Sequence, residues 1–74
     1  MKLRVLGSNQ NEVETNGFTV LFSYNTPVAC CDNSGKGFFK TSKKWSKTTS
    51  KHINQWLNGA KAEEKDQSFF DSLV

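Results

Sequence analysis

The chain has 74 residues, 35% of them hydrophobic, 12% aromatic and 23% charged, with a formal net charge of +3. That is one small polar globular domain, too short for a Rossmann, kinase or hydrolase fold. No apolar run approaches the roughly 20 residues that cross a membrane, and the opening Met1-Lys2-Leu3-Arg4-Val5-Leu6-Gly7 lacks the apolar stretch of a signal peptide.

The first elements read as strands. Residues 2–6 alternate weakly, with Leu3 and Val5 on one side. Gly7-Ser8-Asn9-Gln10-Asn11 is a polar turn, and residues 12–15 form a short strand. Asn16-Gly17 is the dipeptide favoured in type I′ hairpin turns, where both central residues need positive φ. The strongest strand follows over residues 18–24. Phe18, Val20, Phe22 and Tyr24 share one face; Thr19, Leu21 and Ser23 take the other. Asn25-Thr26-Pro27 turns the chain into a further apolar strand, Val28-Ala29-Cys30-Cys31. The loop through Gly35-Lys36-Gly37 then leads to a last strand, Phe38-Phe39-Lys40-Thr41.

The period then changes to that of a helix. Ile53, Trp56, Leu57 and Ala60 fall at i, i+3, i+4 and i+7, and Thr49 extends the stripe one turn back. Ser46, Thr48 or Thr49 can each supply the N-cap oxygen, and Gly59 after Asn58 is a natural stop. The expected helix runs from about 47 to 58. Residues 60–67 are polar and loosely helical. The ending Ser68-Phe69-Phe70-Asp71-Ser72-Leu73-Val74 is apolar enough to dock back on the domain. The expected fold is α+β: a single domain over 1–74 with four to five short antiparallel strands within about 2–41. One amphipathic helix covers the sheet, and a C-terminal tail over 60–74 docks on the domain. Phe22 and Trp56 should face each other across the sheet–helix interface.

Chemistry-bearing motifs are sparse. Cys30 and Cys31 are adjacent, and with His52 they fall short of four zinc ligands. On a strand the two thiols point to opposite faces, so one is shielded and one exposed; both are expected reduced. A Cys–His dyad with His52 is conceivable, but no helix N-terminus or oxyanion hole is evident near either thiol. His52 sits beside the apolar stripe and reads as a partly exposed helix residue. Glu12 and Glu14 share one face of a short strand and read as an exposed edge pair. Gly35-Lys36-Gly37 lacks the spacing of a phosphate-binding loop. The expectation is a protein without catalytic residues, metal or cofactor.

Charge is the one sharp feature. Residues 1–35 carry a net −1, residues 36–59 hold six lysines and no acid, and residues 60–74 carry a net −2. Residues 36–51 interleave the lysines with Phe38, Phe39 and Trp45 and with hydroxyls. Lysines and hydroxyls contact phosphates, helix N-termini offer backbone N–H groups, and exposed aromatics stack bases. Lys40, Lys43, Lys44, Trp45, Lys47, Thr48 and Lys51 are therefore the candidate binding residues. The plainer reading of the same segment has aromatics in the core, lysines as a solvated rim and hydroxyls as caps. The absence of Arg speaks against reading a base sequence.

Two strings carry a resemblance: Leu21-Phe22-Ser23-Tyr24-Asn25-Thr26-Pro27-Val28-Ala29, and Lys43-Lys44-Trp45-Ser46-Lys47-Thr48-Thr49-Ser50-Lys51-His52-Ile53-Asn54-Gln55-Trp56-Leu57. With the ending Phe69-Phe70-Asp71-Ser72-Leu73-Val74, they resemble a group of small uncharacterised accessory proteins of tailed bacteriophages and related bacterial elements. The resemblance spans most of residues 17–74 and leaves out the Cys30-Cys31 pair. It implies a phage-type accessory protein in the bacterial host cytoplasm, neither secreted nor membrane-bound, and it implies no reaction. The expected partner is nucleic acid or a nucleoprotein, held by the lysine block. The alternative is a host protein, bound by an inhibitor of the anti-defence type. A virion-associated structural role is a third reading.

Overall fold

The computed structural model describes residues 2–7, 9–15, 17–35 and 37–73. Met1, Ser8, Asn16, Lys36 and Val74, which enter the readings of the opening segment, two turns, the lysine block and the tail, lie outside the described residues.

Among the described residues, six strands form one sheet whose spatial order is the chain order: β1 (Lys2–Gly7), β2 (Gln10–Thr15), β3 (Phe18–Ser23), β4 (Thr26–Asp32), β5 (Gly37–Thr41) and β6 (Ala62–Lys65). The first five pair antiparallel, and β6 joins β5 in parallel. The chain between them carries helix α1 (Lys47–Leu57), the crossover that a parallel pair requires. Helix α2 (Gln67–Asp71) follows β6. The fold is thus α+β, as the alternation predicts. It departs from the expectation of four to five antiparallel strands and one helix by a sixth strand, a mixed sheet and a second short helix.

The β3–β4 turn is tighter than the sequence suggests. Tyr24 and Asn25 are its two central residues, with φ of 52° and 64°, the left-handed pair of a type I′ hairpin. Thr26 and Pro27 therefore belong to β4 rather than to the turn. The register shifts between Leu21 and Phe22, which face Ala29 and Pro27, so Val28 is an extra residue bulged out of the ladder. A bulge is where a strand tolerates proline.

The parity assigned to β3 holds for the strand, but α1 lies on the other face. Leu21, Val28 and Ala29 are buried under Ile53 and Leu57 of α1, with Phe38 and Trp56 packed at the margin. Val20 and Cys30 are buried on the opposite face under Phe70 of α2, ringed by Phe18, Phe22, Phe39, Phe69 and Leu73. Phe22 and Trp56 therefore do not meet. The polar residues explain the choice. Ser23 Oγ lies 2.8 Å from His52 Nδ1 and 3.1 Å from Thr49 Oγ1, and all three residues are buried. Buried hydroxyls need partners, and only α1 on the Ser23 face supplies them. His52 is consequently a buried core residue, not the partly exposed one expected, and Tyr24 turns out of its strand to stack on it at 5.9 Å.

The aromatic face is closed by the tail. Phe69 contacts Phe18, Phe39 and Phe70 at 6.4, 5.7 and 5.2 Å between ring centroids. The docking expected of residues 60–74 is present, but part of that segment is a strand and it covers the face away from α1.

Candidate nucleic-acid interface

Ser46 caps α1: its Oγ accepts the Thr49 N–H at 3.2 Å. At the far end Asn58 adopts φ 49° and donates its N–H to the Asn54 carbonyl, and Gly59 ends the helix with φ 85°. Burial of Thr49, His52, Ile53 and Leu57 turns Lys47 and Lys51, one turn apart, to the solvent. The first turn of α1 contains no acidic residue to offset them.

The loop 42–46 carries Lys43, Lys44 and Trp45, all exposed. Trp45 is 37% exposed yet held on two sides. Lys43 Nζ sits 4.3 Å from the ring centroid, a cation–π contact, and the indole Nε1–H donates to Gln67 Oε1 at 3.3 Å. Gln67 is the hub of this corner. Its Oε1 also accepts from Thr41 Oγ1 at 2.9 Å, and its Nε2 donates to the Pro27 carbonyl at 2.7 Å and to Asp71 Oδ1 at 3.1 Å. Thr41 Oγ1 in turn accepts the Lys43 N–H at 3.2 Å. One side chain at the start of α2 thereby ties together β4, β5 and the lysine loop.

Two adjoining clefts share Lys44, Trp45, Ser50 and Asn54. The first, about 260 Å³, reaches Lys40 and Lys43; the second, about 760 Å³, reaches Lys47 and Lys51. Six of the seven predicted binding residues, Trp45 among them, thus line the two clefts. Thr48 is exposed but lines neither cleft. Glu64, opposite Lys40 in the β5–β6 register, is the one carboxylate among the described residues lining the clefts. Asn54 and Gln67 have no place in the sequence reading of the site, and Ser50 enters it only as one of the hydroxyls of residues 36–51. Ser50 and Asn54 are one turn apart beside the lysine stripe, a spacing that could have revealed them; nothing local marks Gln67.

Neither form of the conceivable dyad, Cys30 or Cys31 with His52, shows a thiol–imidazole hydrogen bond: Cys30 lies on the α2 face of the sheet and His52 on the other, Cys31 Sγ sits 3.9 Å from Asn33 Oδ1, and His52 Nδ1 is engaged by Ser23. Both cysteines are free, Cys30 buried and Cys31 half-buried. Burial, then the neighbouring Cys31 and Asp32, pushes the Cys30 thiol up to about 12, a neutral and unreactive group at physiological pH. Glu12 is not an edge residue, since β1 pairs outside β2. It is half-buried, accepts the Trp56 Nε1–H at 2.9 Å and faces Arg4 at 3.6 Å. Among the described residues no three His, Cys, Asp or Glu side chains gather as a metal site, and no helix is long and apolar enough to cross a membrane.

The chain belongs to a family of unknown function, DUF8033, whose sequence model matches residues 1–72. No curated protein and no solved structure matches it.

Proposed function

We propose that this member of the family is a non-catalytic binding module that holds nucleic acid, or a nucleoprotein, on the face formed by loop 42–46 and α1. The carrying observation is the convergence of Lys40, Lys43, Lys44, Lys47 and Lys51 on one exposed tryptophan, with Glu64 the single carboxylate among the described residues lining the two clefts. A local field of that kind attracts polyanions despite a net charge of only +3. Lysine without arginine suits phosphate contact better than base reading. The resemblance of residues 17–74 to small phage accessory proteins supports a role inside an infected bacterial cytoplasm.

The test is a salt titration of oligonucleotide binding. With about three phosphates neutralised, log K falls against log salt with a slope of roughly −2 to −3. Replacing Lys43, Lys44 and Lys47 together by Gln should flatten that slope and leave the melting temperature nearly unchanged, because exposed charges contribute little to folding. No binding at about 50 mM salt, where such contacts are strong, or binding unaltered in the triple variant, rejects the reading and favours a host protein as target.

A further inference from the structure

The two clefts at Trp45 do not end there. A third, of about 580 Å³, continues past Lys40 and Leu57 to Lys61 and Ala62. Asn54 lines all three clefts, and Lys40 links the first to the third. Together they make one trough along the flank of α1 that faces β5 and β6. Lysines stand along its length: Lys44, Lys47 and Lys51 toward the start of α1, Lys40 midway and Lys61 at the far end.

Resting on the reading that this face binds nucleic acid, we propose that the trough takes a single strand in a sequence-tolerant manner. Its phosphates lie along the lysine rims and one base stacks on Trp45. A concave channel between a helix and a sheet edge surrounds a flexible chain on two sides, whereas a duplex meets only its rim. The Trp45 ring is exposed and held on two sides, hydrogen-bonded through Nε1 to Gln67 and with Lys43 Nζ over one of its faces, so a base meets it on the other face or in place of that ammonium. A ring held in this way loses little freedom when a base stacks on it, and only an unpaired base can do so. Asn54, exposed and lining all three clefts, brings a side-chain amide to their meeting point. It can donate and accept, so it meets any base edge without selecting one. Lys61 lies outside the segment 36–51 in which the sequence concentrates charge, and the trough makes it part of the site.

Fluorescence anisotropy separates the outcomes, at one low salt for the comparison of ligands and across a salt titration for the slope, using a dT12 oligonucleotide, a blunt duplex of equal length, polyphosphate and polyglutamate. The variants are Trp45→Leu, Trp45→Phe and Lys61→Gln, each first shown to melt cooperatively. We expect dT12 to bind at least tenfold tighter than duplex or polyphosphate. Trp45→Leu should weaken dT12 binding about 5- to 150-fold, the loss of one base–aromatic stack, while Trp45→Phe retains most of it. Lys61→Gln should reduce the salt slope by about 0.7, one single-strand phosphate contact. If duplex and polyphosphate bind as tightly as dT12 and Trp45→Leu changes nothing, the single-strand trough is refuted while the lysine face stands. If only polyglutamate binds, or nothing does, the lysine-face reading itself falls.

Discussion

Cys30 and Cys31 are adjacent in the chain and opposite in environment. Cys30 has no exposed surface and packs with Val20 and Phe70; Cys31 is half-buried, its Sγ 3.9 Å from Asn33 Oδ1. A thiol reagent should therefore modify Cys31 in the native protein and Cys30 only on unfolding. Two equally fast reactions would contradict the packing of α2 on the sheet. The same burial has a pH consequence. The folded protein holds the Cys30 proton to about 12, whereas an unfolded cysteine releases it near 9.0. Between those values unfolding releases a proton, so the stability this thiol contributes is intact below pH 9 and is lost as pH rises toward 12. Thermal melts from pH 8 to 11 should fall more steeply for wild type than for Cys30→Ala; parallel curves would show that the buried thiol is not the titrating group. Gln67 works by a different logic. It uses both amide hydrogens and both oxygen lone pairs, its full capacity. Gln67→Leu should cost about 1–3 kcal/mol in urea unfolding, since it strands polar partners, and should shift Trp45 emission to the red as the ring loses its anchor. An unshifted spectrum would mean that Lys43 alone holds the indole.

At the level of elements, legibility tracked whether a segment's own side chains decide its fate. Helix α1 was readable because its stripe, its serine cap and the Asn58-Gly59 stop agree with one another. The hairpins were readable from alternation and turn residues. Residues 62–65 were not: Ala-Glu-Glu-Lys favours helix locally, and they extend only because β5 offers an open edge to pair with. Periodicity likewise told which residues of β3 share a face but not which face takes α1. That was settled by the buried Ser23–His52–Thr49 contacts, which join residues 26 and 29 positions apart. The five-residue α2 is the clearest case of stability from packing rather than propensity. Phe70, its fully buried residue, should cost about 3–5 kcal/mol when replaced by Ala. Trp56→Ala should cost less, since the indole is half-buried at the margin of its cluster and rests edge-on against Phe38 at 6.1 Å. Chemical denaturation of both variants checks the order, and a larger loss for Trp56 would invert the ranking of the two faces.

For the whole molecule, the charge blocks point to the lysine-rich face proposed for binding but not to its shape. The trough exists because α1 crosses back to deliver β6, a long-range arrangement that brings Lys61 within reach of Lys40 and that no local pattern encodes. The same connectivity divides the core into two clusters on opposite sides of one sheet, Leu21, Val28 and Ala29 under α1 and Val20 and Cys30 under α2. Such an arrangement could unfold in two steps, one face at a time. We predict that it does not. Strands β3 and β4 send alternate residues into both clusters, so neither helix can leave without exposing the strands that the other packs on, and in a domain this small neither half retains enough buried area alone. Two probes read the faces separately: Trp56 fluorescence in a Trp45→Phe background for the α1 side, and Cys30 accessibility to a thiol reagent for the α2 side. Their urea midpoints should coincide. The conservative pair Ile53→Val and Phe70→Leu, one on each face, should shift both probes together, and their effects on stability should add within about 0.5 kcal/mol because the two sites share no partner. A split in the midpoints, with Cys30 exposed before Trp56 responds, would show that α2 is an independently opening flap and the sheet with α1 the true folding unit.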